Sequence, residues 1–544
     1  MNIVHYYRNR LIRFLRTPRQ FAILIFTVVF FLLLLTEHHY GIVWDEPYNF
    51  RPASEVASWV KLVFTKPGLA FSNAGVDIYW QHINEHPSVS KWLAAASYGL
   101  FGDRLGDLFM FGNGDRIALR LGSILFFSAF IACFYGFLTH HFSWRTGWAA
   151  LVSLLVMPRI FAQAHFATTD IPMMVMAWFT VYAFYKGCSS WKWSVGLGII
   201  WGLAMATKIN ALFLPIPLFA WGLLYQRKQI LNNLGAMVVI SPIVFIASWP
   251  WLWHHTFTRL MDYFQFYTQH KFTTVFYFGK QYLLTPAPWH YPLVYVLLTI
   301  PVILLLILMA GLWTVFRKQE MEVWETPPDR SLAILMVFMA AFPIILQSLP
   351  FSPRYDGIRL FLSAFPFLAV LIGLGYKNII QHLKRRYSFA HIPGVTIVIG
   401  FAIILPCVWQ VIRTHPYELS YYNALIGGVQ GAQKAGLETT YWCDAVNSDM
   451  LSEINGTLPK GATVRFLSFS SEVLDWYKMH NEFRLDLKII NGRGPADYYV
   501  LQARQGFWGQ YEAAFYEQAI PRYSIKLDNV PLAILYNNPL APNL

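Results

Sequence analysis

Long apolar segments alternate with short polar segments over the first three quarters of the chain. A helix needs about 20 apolar residues to cross a bilayer, and fewer when aromatic residues flank it. The pattern therefore predicts about eleven membrane-spanning helices. They lie near 21–38, 117–138, 147–163, 170–186, 193–207, 210–225, 234–250, 291–316, 331–349, 358–376 and 393–411.

The short polar loops indicate how these helices are oriented, because basic residues collect on the cytoplasmic side of a membrane. Alternate loops are mostly basic, and a group of arginines precedes the first span. The group consists of Arg8, Arg10, Arg13, Arg16 and Arg19. We therefore predict a cytoplasmic N-terminus. No small-residue cleavage site follows the first apolar run, so we expect it to remain as a span.

The longer loops fall on the opposite, outer face. Residues 39–116 form the first of them. Two outer loops contain apolar residues at the i, i+3, i+4, i+7 spacing of an amphipathic helix, which predicts helices lying in the membrane interface. Simple aromatic anchoring at headgroup level is the alternative. The residues are Val56, Trp59, Val60 and Val63 in one loop, and Phe257, Leu260, Met261 and Phe264 in the other.

After residue 411 no apolar run is long enough to span a membrane, and polar residues become regular. Short β-rich runs alternate with a helix-like segment, EAAFYEQAI, which predicts a small α/β domain on the outer face. The runs are ATVRFLSF, FRLDLKII, DYYVLQA and PLAILY. We therefore divide the chain into a transmembrane domain, 1–411, and a soluble domain, 412–544.

Composition agrees with a polytopic membrane protein and argues against nucleic acid binding and against a zinc or disulfide framework. Hydrophobic residues make up 56% of the 544 residues, charged residues 13%, and the mean hydropathy is +0.40. The net charge of +13 would suggest nucleic acid binding in a soluble protein. Cytoplasmic basic loops explain it better here. The four cysteines include no CxxC pair, so neither a zinc knuckle nor a disulfide framework is predicted.

Charged and polar residues that can carry chemistry recur in several outer loops. An acidic pair follows the first span in GIVWDEPYNF, and other candidates lie in NEHPSVSKW, AHFATTDIPM, ATKINALFLP and PFSPRYDGIRLF. The candidates are Asp45, Glu46, Glu85, His86, Lys91, His165, Asp170, Lys208, Arg354 and Arg359. Taken singly, such residues are also explained as solvated acids, helix caps or cations that reach the headgroups. Their recurrence on one face favours a site.

These residue types suit group transfer from a phosphate-linked lipid to a hydroxyl. Lysine and arginine side chains stabilise phosphate oxygens, and a carboxylate can take the proton from a hydroxyl. No P-loop or GxGxxG motif is present, so no nucleotide cofactor is expected. Two other classes remain open: a transporter or flippase of a lipid-linked substrate, and a receptor whose outer domain carries the function. Transporters usually place ionisable residues near the midplane of repeated halves.

The ordered set WDEPYNF, EHPSVSKW, AHFATTDIPMMVM and ATKINALFLP resembles membrane glycosyltransferases with the GT-C fold. It is similar to the protein O-mannosyltransferases and the lipid A aminoarabinose transferases. Ser88 stands where those families have a second proline in an HPPLGKW-like stretch. The resemblance implies an α-helical, GT-C type membrane enzyme in a bacterial inner membrane. That enzyme would move a sugar from a polyprenyl phosphate to a hydroxyl of a protein, lipid or glycan, with inversion at the sugar.

The resemblance also implies roles for residues of this chain. Asp45 would be the catalytic base, and Asp170 a second acid near the reaction centre. Lys91 and Lys208 would contact the donor phosphate, where we also place Arg354 and Arg359. Glu46 is grouped with these acids as a catalytic candidate. Glu46 and His86 match motif positions, and Glu85 and His165 are further site candidates. The resemblance leaves open a divalent cation, the sugar and the acceptor.

Overall fold

The computed structural model describes residues 18–81, 86–108, 114–227, 230–269, 273–317, 330–387 and 393–538. Most of them are helical. The arginines before Arg19, residues 318–329 and the candidate Glu85 lie outside the described residues.

From residue 18 to residue 268 the described chain is mainly helical, and a short hairpin and further helices follow. They are α1 (Pro18–Thr36), α2 (Pro47–Thr65), α3 (Pro67–Ala70), α4 (Asn73–Trp80), α5 (Val89–Leu108), α6 (Gly114–His141), α7 (Trp144–Leu155), α8 (Pro158–Gln163), α9 (Asp170–Gly187), α10 (Trp191–Met205), α11 (Pro215–Tyr225), α12 (Ile230–Ser248) and α13 (Thr256–Thr268). The hairpin strands are β1 (Val275–Tyr277) and β2 (Lys280–Tyr282). The later helices are α14 (Tyr291–Thr299), α15 (Val302–Phe316), α16 (Arg330–Ser348), α17 (Phe365–Arg386) and α18 (Pro393–Thr414).

Every predicted span coincides with one of these helices or with a consecutive pair. Among the described residues, six helices are long and apolar enough to cross a membrane by themselves, and a seventh span arises if α14 and α15 are counted together. The total of eleven spans therefore stays a prediction. The predicted span 291–316 bends by 114° between α14 and α15, and the predicted span 147–163 breaks between α7 and α8. Both breaks lie at prolines, Pro301 and Pro158, which interrupt helical hydrogen bonding.

The two amphipathic outer helices are present but differ in their surroundings. In α2, Val56 and Trp59 are buried inside the protein, so this face does not lie on the membrane as predicted. In α13, Phe257 and Met261 are exposed. The structure thus leaves an apolar face for the membrane interface only on the second of these two helices.

The last part of the chain forms a five-stranded sheet flanked by short helices. Its elements are α19 (Gly428–Lys434), α20 (Ser448–Thr457), β3 (Thr463–Leu467), α21 (Ser471–Met479), β4 (Lys488–Asn491), β5 (Tyr498–Gln502), α22 (Gln510–Gln518), β6 (Pro521–Leu527) and β7 (Val530–Asn537). The strand order is β4-β3-β5-β7-β6. The first three strands are parallel, and β7 is antiparallel to β5 and β6. All four predicted strands are present, whereas β6 was not predicted.

This α/β unit packs on the outer loop that follows α1. One apolar core contains Ile42 and Phe50 of that loop together with Val464 and Tyr477 of the unit. The hydroxyl of Tyr477 accepts a hydrogen bond from the Ile42 backbone N–H at 3.0 Å and donates one to the Val446 carbonyl at 2.8 Å. The acidic pair Asp45–Glu46 is therefore held between the helices and the α/β unit. The domain boundary at 411 stays a prediction.

Candidate functional site

Four of the predicted segments place five charged residues near one another at the ends of helices. Asp45 lies in the turn between α1 and α2, and Asp170 is the first residue of α9. Lys208 follows α10, while Asp356 and Arg359 precede α17. Residues far apart in the chain are therefore close in space, and we call these five residues the Arg359 cluster.

Arg359 is at the centre of this cluster. Its Nε donates to Asp170 Oδ2 at 2.9 Å, its Nη1 donates to Asp356 Oδ2 at 2.5 Å, and its Nη2 donates to Asp45 Oδ2. The guanidinium Cζ lies 3.8 Å from the ring centroid of Trp442. Stacking on an aromatic face together with carboxylate pairing fixes the plane of an arginine side chain. One arginine therefore orients three carboxylates.

Lys208 extends the cluster on the side of α9. Its Nζ donates to Asp170 Oδ1 at 2.6 Å, so the two oxygens of Asp170 bind two different cations. Asp170 is fully buried between them. Because both oxygens are occupied, Asp170 is placed to position Lys208 and Arg359.

The α/β unit contributes two further contacts to the cluster. Arg504 donates through Nη2 to Asp356 Oδ1 at 2.8 Å, and Trp442 donates through Nε1 to Asp45 Oδ1 at 3.3 Å. Burial raises the pKa of Asp356 above its usual value, while Arg504 and Arg359 oppose that shift. The α/β unit is therefore part of the wall of the site.

The three carboxylates of the cluster differ in accessibility. The side chain of Asp45 is 26% exposed, whereas those of Asp170 and Asp356 are 0% and 6% exposed. A group that exchanges a proton with a substrate must be reachable by that substrate. Asp45 meets this condition, and the other two acids serve to hold cations.

Lys91 and His86 lie beside the cluster. The Nζ of Lys91 donates to the His86 carbonyl at 2.9 Å, and the lysine is buried. Burial, together with the charges of Lys208 and Lys91, lowers the pKa of His86 to about 4, whereas Asp45 opposes this shift. The imidazole is therefore uncharged at neutral pH. It lies close enough to the acids and the lysines of the site to interact with them electrostatically.

Several cations lie at or beside the site. Among the described side chains, four cations and three carboxylates lie there. The cations are Lys91, Lys208, Arg359 and Arg504, and the carboxylates are Asp45, Asp170 and Asp356. Among the described residues, no group of three or more His, Cys, Asp or Glu side chains is placed to hold a metal ion. Lysine and arginine side chains stabilise phosphate oxygens, so these cations suit an anionic ligand.

Glu46 is adjacent to Asp45 but lies outside the Arg359 cluster. Arg120 of α6 donates through Nε to Glu46 Oε1 at 2.7 Å and through Nη2 to Oε2 at 2.5 Å. The backbone N–H groups of Val43 and Ala167 donate to the same carboxylate. Both charged side chains are fully buried. We therefore assign Glu46 a structural role instead of the catalytic role proposed from the sequence.

Arg354 also lies outside the cluster, although it is close to Asp356 in sequence. Its Nε and Nη1 donate to backbone carbonyls. The acceptors are Ala287 at 2.5 Å, Gln347 at 2.9 Å and Leu349 at 2.7 Å. The guanidinium holds the loop after α16 in place, and the structure does not bring it to the phosphate-binding position predicted for it.

His165 is fully buried and uses both ring nitrogens within the fold. Nε2 lies 2.8 Å from Thr36 Oγ1, and Nδ1 lies 2.9 Å from the Phe161 carbonyl oxygen. The ring therefore connects the end of α1 with α8 and is not part of the Arg359 cluster.

Trp442, Arg504 and Arg120 were not identified from the sequence. The first two lie in the α/β unit, about 400 residues or more from Asp45, and no motif links them to it. Arg120 lies inside a predicted span. Ionisable residues within spans usually pair with one another, so the sequence did indicate that Arg120 has a buried partner.

Comparison with known proteins confirms the resemblance predicted from the sequence. Residues 85–254 match the family model of dolichyl-phosphate-mannose-protein mannosyltransferases, a range that includes Lys91, Asp170 and Lys208. No curated protein sequence matches the chain.

The fold is similar to that of ArnT from Cupriavidus metallidurans. The crystal structure of ArnT bound to undecaprenyl phosphate has a TM-score of 0.52 at 14% identity, covering 96% of this chain and 99% of ArnT. The apo structure has the same score and identity, covering 94% and 97%. The chain is thus a multi-pass membrane protein with a GT-C type fold, as predicted, and with a small C-terminal sheet unit.

Proposed function

We propose that the protein is a membrane glycosyltransferase that moves a sugar from a polyprenyl phosphate to a hydroxyl acceptor. The observation that carries this proposal is the accessible carboxylate of Asp45 in one cluster with the buried cations Arg359 and Lys208. Two comparisons support it. The matching family is described as a mannosyltransferase that uses a dolichyl phosphate, and ArnT was crystallised with undecaprenyl phosphate.

The proposed reaction uses a carboxylate of the site as the base and its cations to stabilise the phosphate. Asp45 accepts the proton of the acceptor hydroxyl, and the acceptor oxygen forms a bond to the anomeric carbon of the donor. The bond from that carbon to the lipid phosphate breaks, and its electron pair leaves with the phosphate. Lys208, Lys91 and Arg359 stabilise the departing phosphate, as cations do wherever negative charge develops. A single displacement of this kind inverts the anomeric centre.

We place this reaction on the outer face of a bacterial inner membrane, with the N-terminus in the cytoplasm. The support is the basic composition of the alternate loops and the position of the site at the helix ends nearest the α/β unit.

The base assignment is tested by replacing Asp45 with asparagine in the purified full chain. Transfer from a labelled polyprenyl-phosphate sugar to a membrane extract of a deletion strain should fall at least 100-fold, because the amide cannot accept the proton. Asp77→Asn is the matched control, since Asp77 pairs with Arg259 at 2.6 Å and its side chain is 27% exposed. Undiminished transfer by Asp45→Asn, at unchanged melting temperature, would refute the assignment.

Donor binding is tested separately with undecaprenyl phosphate alone. Lys208→Ala and Lys91→Ala should each weaken binding at least tenfold, whereas Lys61→Ala, an exposed lysine of α2, should not. Equal binding by all three variants would remove the phosphate site. Movement of a labelled lipid across vesicles without any sugar transfer would favour the flippase alternative.

A further inference from the structure

A cleft of about 750 Å³ opens in the α/β unit beside the hairpin β1–β2. Strands β4, β3 and β5 are parallel neighbours, so the loops that follow them meet at one edge of the sheet. Phe469 follows β3, Arg493 follows β4 and Phe507 follows β5, and all three line the cleft. Ligands of open α/β sheets bind at this edge, beyond the carboxyl ends of parallel strands.

The cleft combines aromatic rings with side chains that form directed hydrogen bonds. Phe507 and Trp508 contribute rings, while Asn491, Arg493 and Glu512 contribute polar groups. Aromatic faces bind flat apolar surfaces, and amide, guanidinium and carboxylate groups form paired hydrogen bonds with vicinal hydroxyls. Both features match the two sides of a sugar ring.

Hydrogen bonds fix the shape of this cleft in advance of binding. Gln281 of β2 donates through Nε2 to the Gly506 carbonyl at 2.8 Å and to the Trp508 carbonyl at 2.9 Å. Arg493 binds Glu512 through Nε at 2.8 Å and Nη2 at 2.7 Å. The arginine side chain remains 59% exposed. The Glu512 carboxylate is only 5% exposed, so it holds the accessible guanidinium of Arg493 in place. A polar group fixed in this way reduces the entropy lost on binding.

The cleft adjoins the Arg359 cluster through one layer of side chains. Trp44 lines the cleft and is the residue before Asp45. Arg504 lies 3.8 Å from the Phe507 ring centroid and 5.1 Å from that of Trp44, and it also binds Asp356. A ligand in the cleft therefore reaches the wall of the reaction site.

We propose that this cleft binds the sugar chain of a glycan acceptor next to the wall of the reaction site; the inference rests on the proposed glycosyl transfer. A peptide acceptor would favour pairing along a strand edge, whereas the cleft lies at the strand ends. The Arg493–Glu512 pair disfavours an acyl chain, because an apolar ligand would desolvate both charges.

The test measures saturation-transfer NMR on the full chain in lipid nanodiscs. The probes are the tetrasaccharides of β-linked glucose, mannose and N-acetylglucosamine, and a serine-rich hexapeptide. At least one tetrasaccharide should receive saturation, and Arg493→Ala and Trp508→Ala should reduce its signal at least fivefold. Arg522→Ala is the matched control, because Arg522 is exposed and lies 5.7 Å from the Tyr498 ring centroid, much as Arg493 lies 5.8 Å from that of Tyr511.

Every outcome decides the question. Saturation of the peptide alone, of no probe, or of a tetrasaccharide equally in wild type and Arg493→Ala would overturn the inference. Arg493→Ala provides this result even if Trp508→Ala does not fold. Binding of undecaprenyl phosphate is measured on the same sample. Lipid binding without saccharide binding contradicts only the cleft assignment, whereas saccharide binding without lipid binding contradicts the proposed function.

Discussion

Two adjacent carboxylates, Asp45 and Glu46, belong to different ionic networks. Asp45 faces the Arg359 cluster and is partly exposed, whereas Glu46 faces Arg120 and is fully buried. A buried ion pair contributes little net stability, but the loss of one partner leaves a charge without compensation. One carboxylate therefore belongs to the proposed reaction site, and the next one in the chain holds the fold.

We expect Glu46→Ala to destabilise the protein by roughly 3–5 kcal/mol, because Arg120 would keep its buried charge with fewer acceptors. Glu55→Ala removes a glutamate from the exposed Arg51–Glu55 pair and should cost less than about 1 kcal/mol. Denaturant unfolding of the purified protein measures both. If Glu46→Ala left stability unchanged and abolished transfer, Glu46 would act in catalysis instead.

Glu438 gives the protein a pH dependence of stability. Its carboxylate is buried and accepts a hydrogen bond from the Gly506 N–H at 3.0 Å. Burial raises its pKa from 4.5 to about 7, against the opposing charge of Arg504. A raised pKa in the folded state contributes stability below pH 4.5, and this contribution is lost as the pH rises through about 7.

Glu438→Gln should remove that loss, because the amide oxygen still accepts the hydrogen bond and carries no charge. We expect the melting temperature of the variant to exceed that of the wild type at pH 8 and to approach it near pH 4.5. Glu517→Gln, the same change on the exposed face of α22, should follow the wild-type profile. Parallel profiles for wild type and Glu438→Gln would contradict the prediction.

Hydropathy predicted the positions of the helices because the length of an apolar run is a local property of the sequence. It did not predict the breaks before Pro158 and Pro301, since a single proline hardly changes the average hydropathy of a run. The prediction that α2 lies in the membrane interface was also wrong. An amphipathic pattern does not indicate whether the apolar face of a helix contacts lipid or protein. What covers Val56 is the α/β unit and α5, which come later in the chain.

The helix α13 retains the surface predicted for a membrane-interface element. Phe257, Met261 and Phe264 are 78%, 56% and 42% exposed on one face. A nitroxide at position 261 should be more accessible to oxygen than to a polar nickel reagent, and a nitroxide at Asp262, on the polar side, should show the opposite. Equal accessibility at both positions in nanodiscs would exclude contact with lipid.

At the scale of the whole molecule, the site is assembled from parts that no sequence pattern connects. The outer-loop acids and lysines were predicted because orientation places them on one face. Trp442 and Arg504 were not, since they reach the cluster only after the α/β unit has packed on the first outer loop. The prediction grouped residues that lie on the same face of the membrane, and it therefore also included Arg354 and His165. The face on which a residue lies does not determine the direction of its side chain.

Among the described residues, the ion pairs that join the α/β unit to the helices include Arg504–Asp356 and Arg413–Asp528, and these two should differ in strength. Arg504–Asp356 is buried at 2.8 Å, with side chains 3% and 6% exposed, whereas Arg413–Asp528 lies on the surface at 2.6 Å, with side chains 56% and 28% exposed. Water and salt screen the surface pair but hardly reach the buried one. Double-mutant cycles with alanine should give a coupling energy of about 2 kcal/mol for Arg504–Asp356.

The surface pair should couple by less than about 1 kcal/mol, and its coupling should vanish in 1 M salt. The unfolding free energy of each single and double variant provides both values. Because Asp356 also binds Arg359, loss of the buried pair should reduce transfer as well, while loss of the surface pair should not. Equal couplings would mean that the α/β unit is attached chiefly by its apolar contacts, and that the cleft can move relative to Asp45.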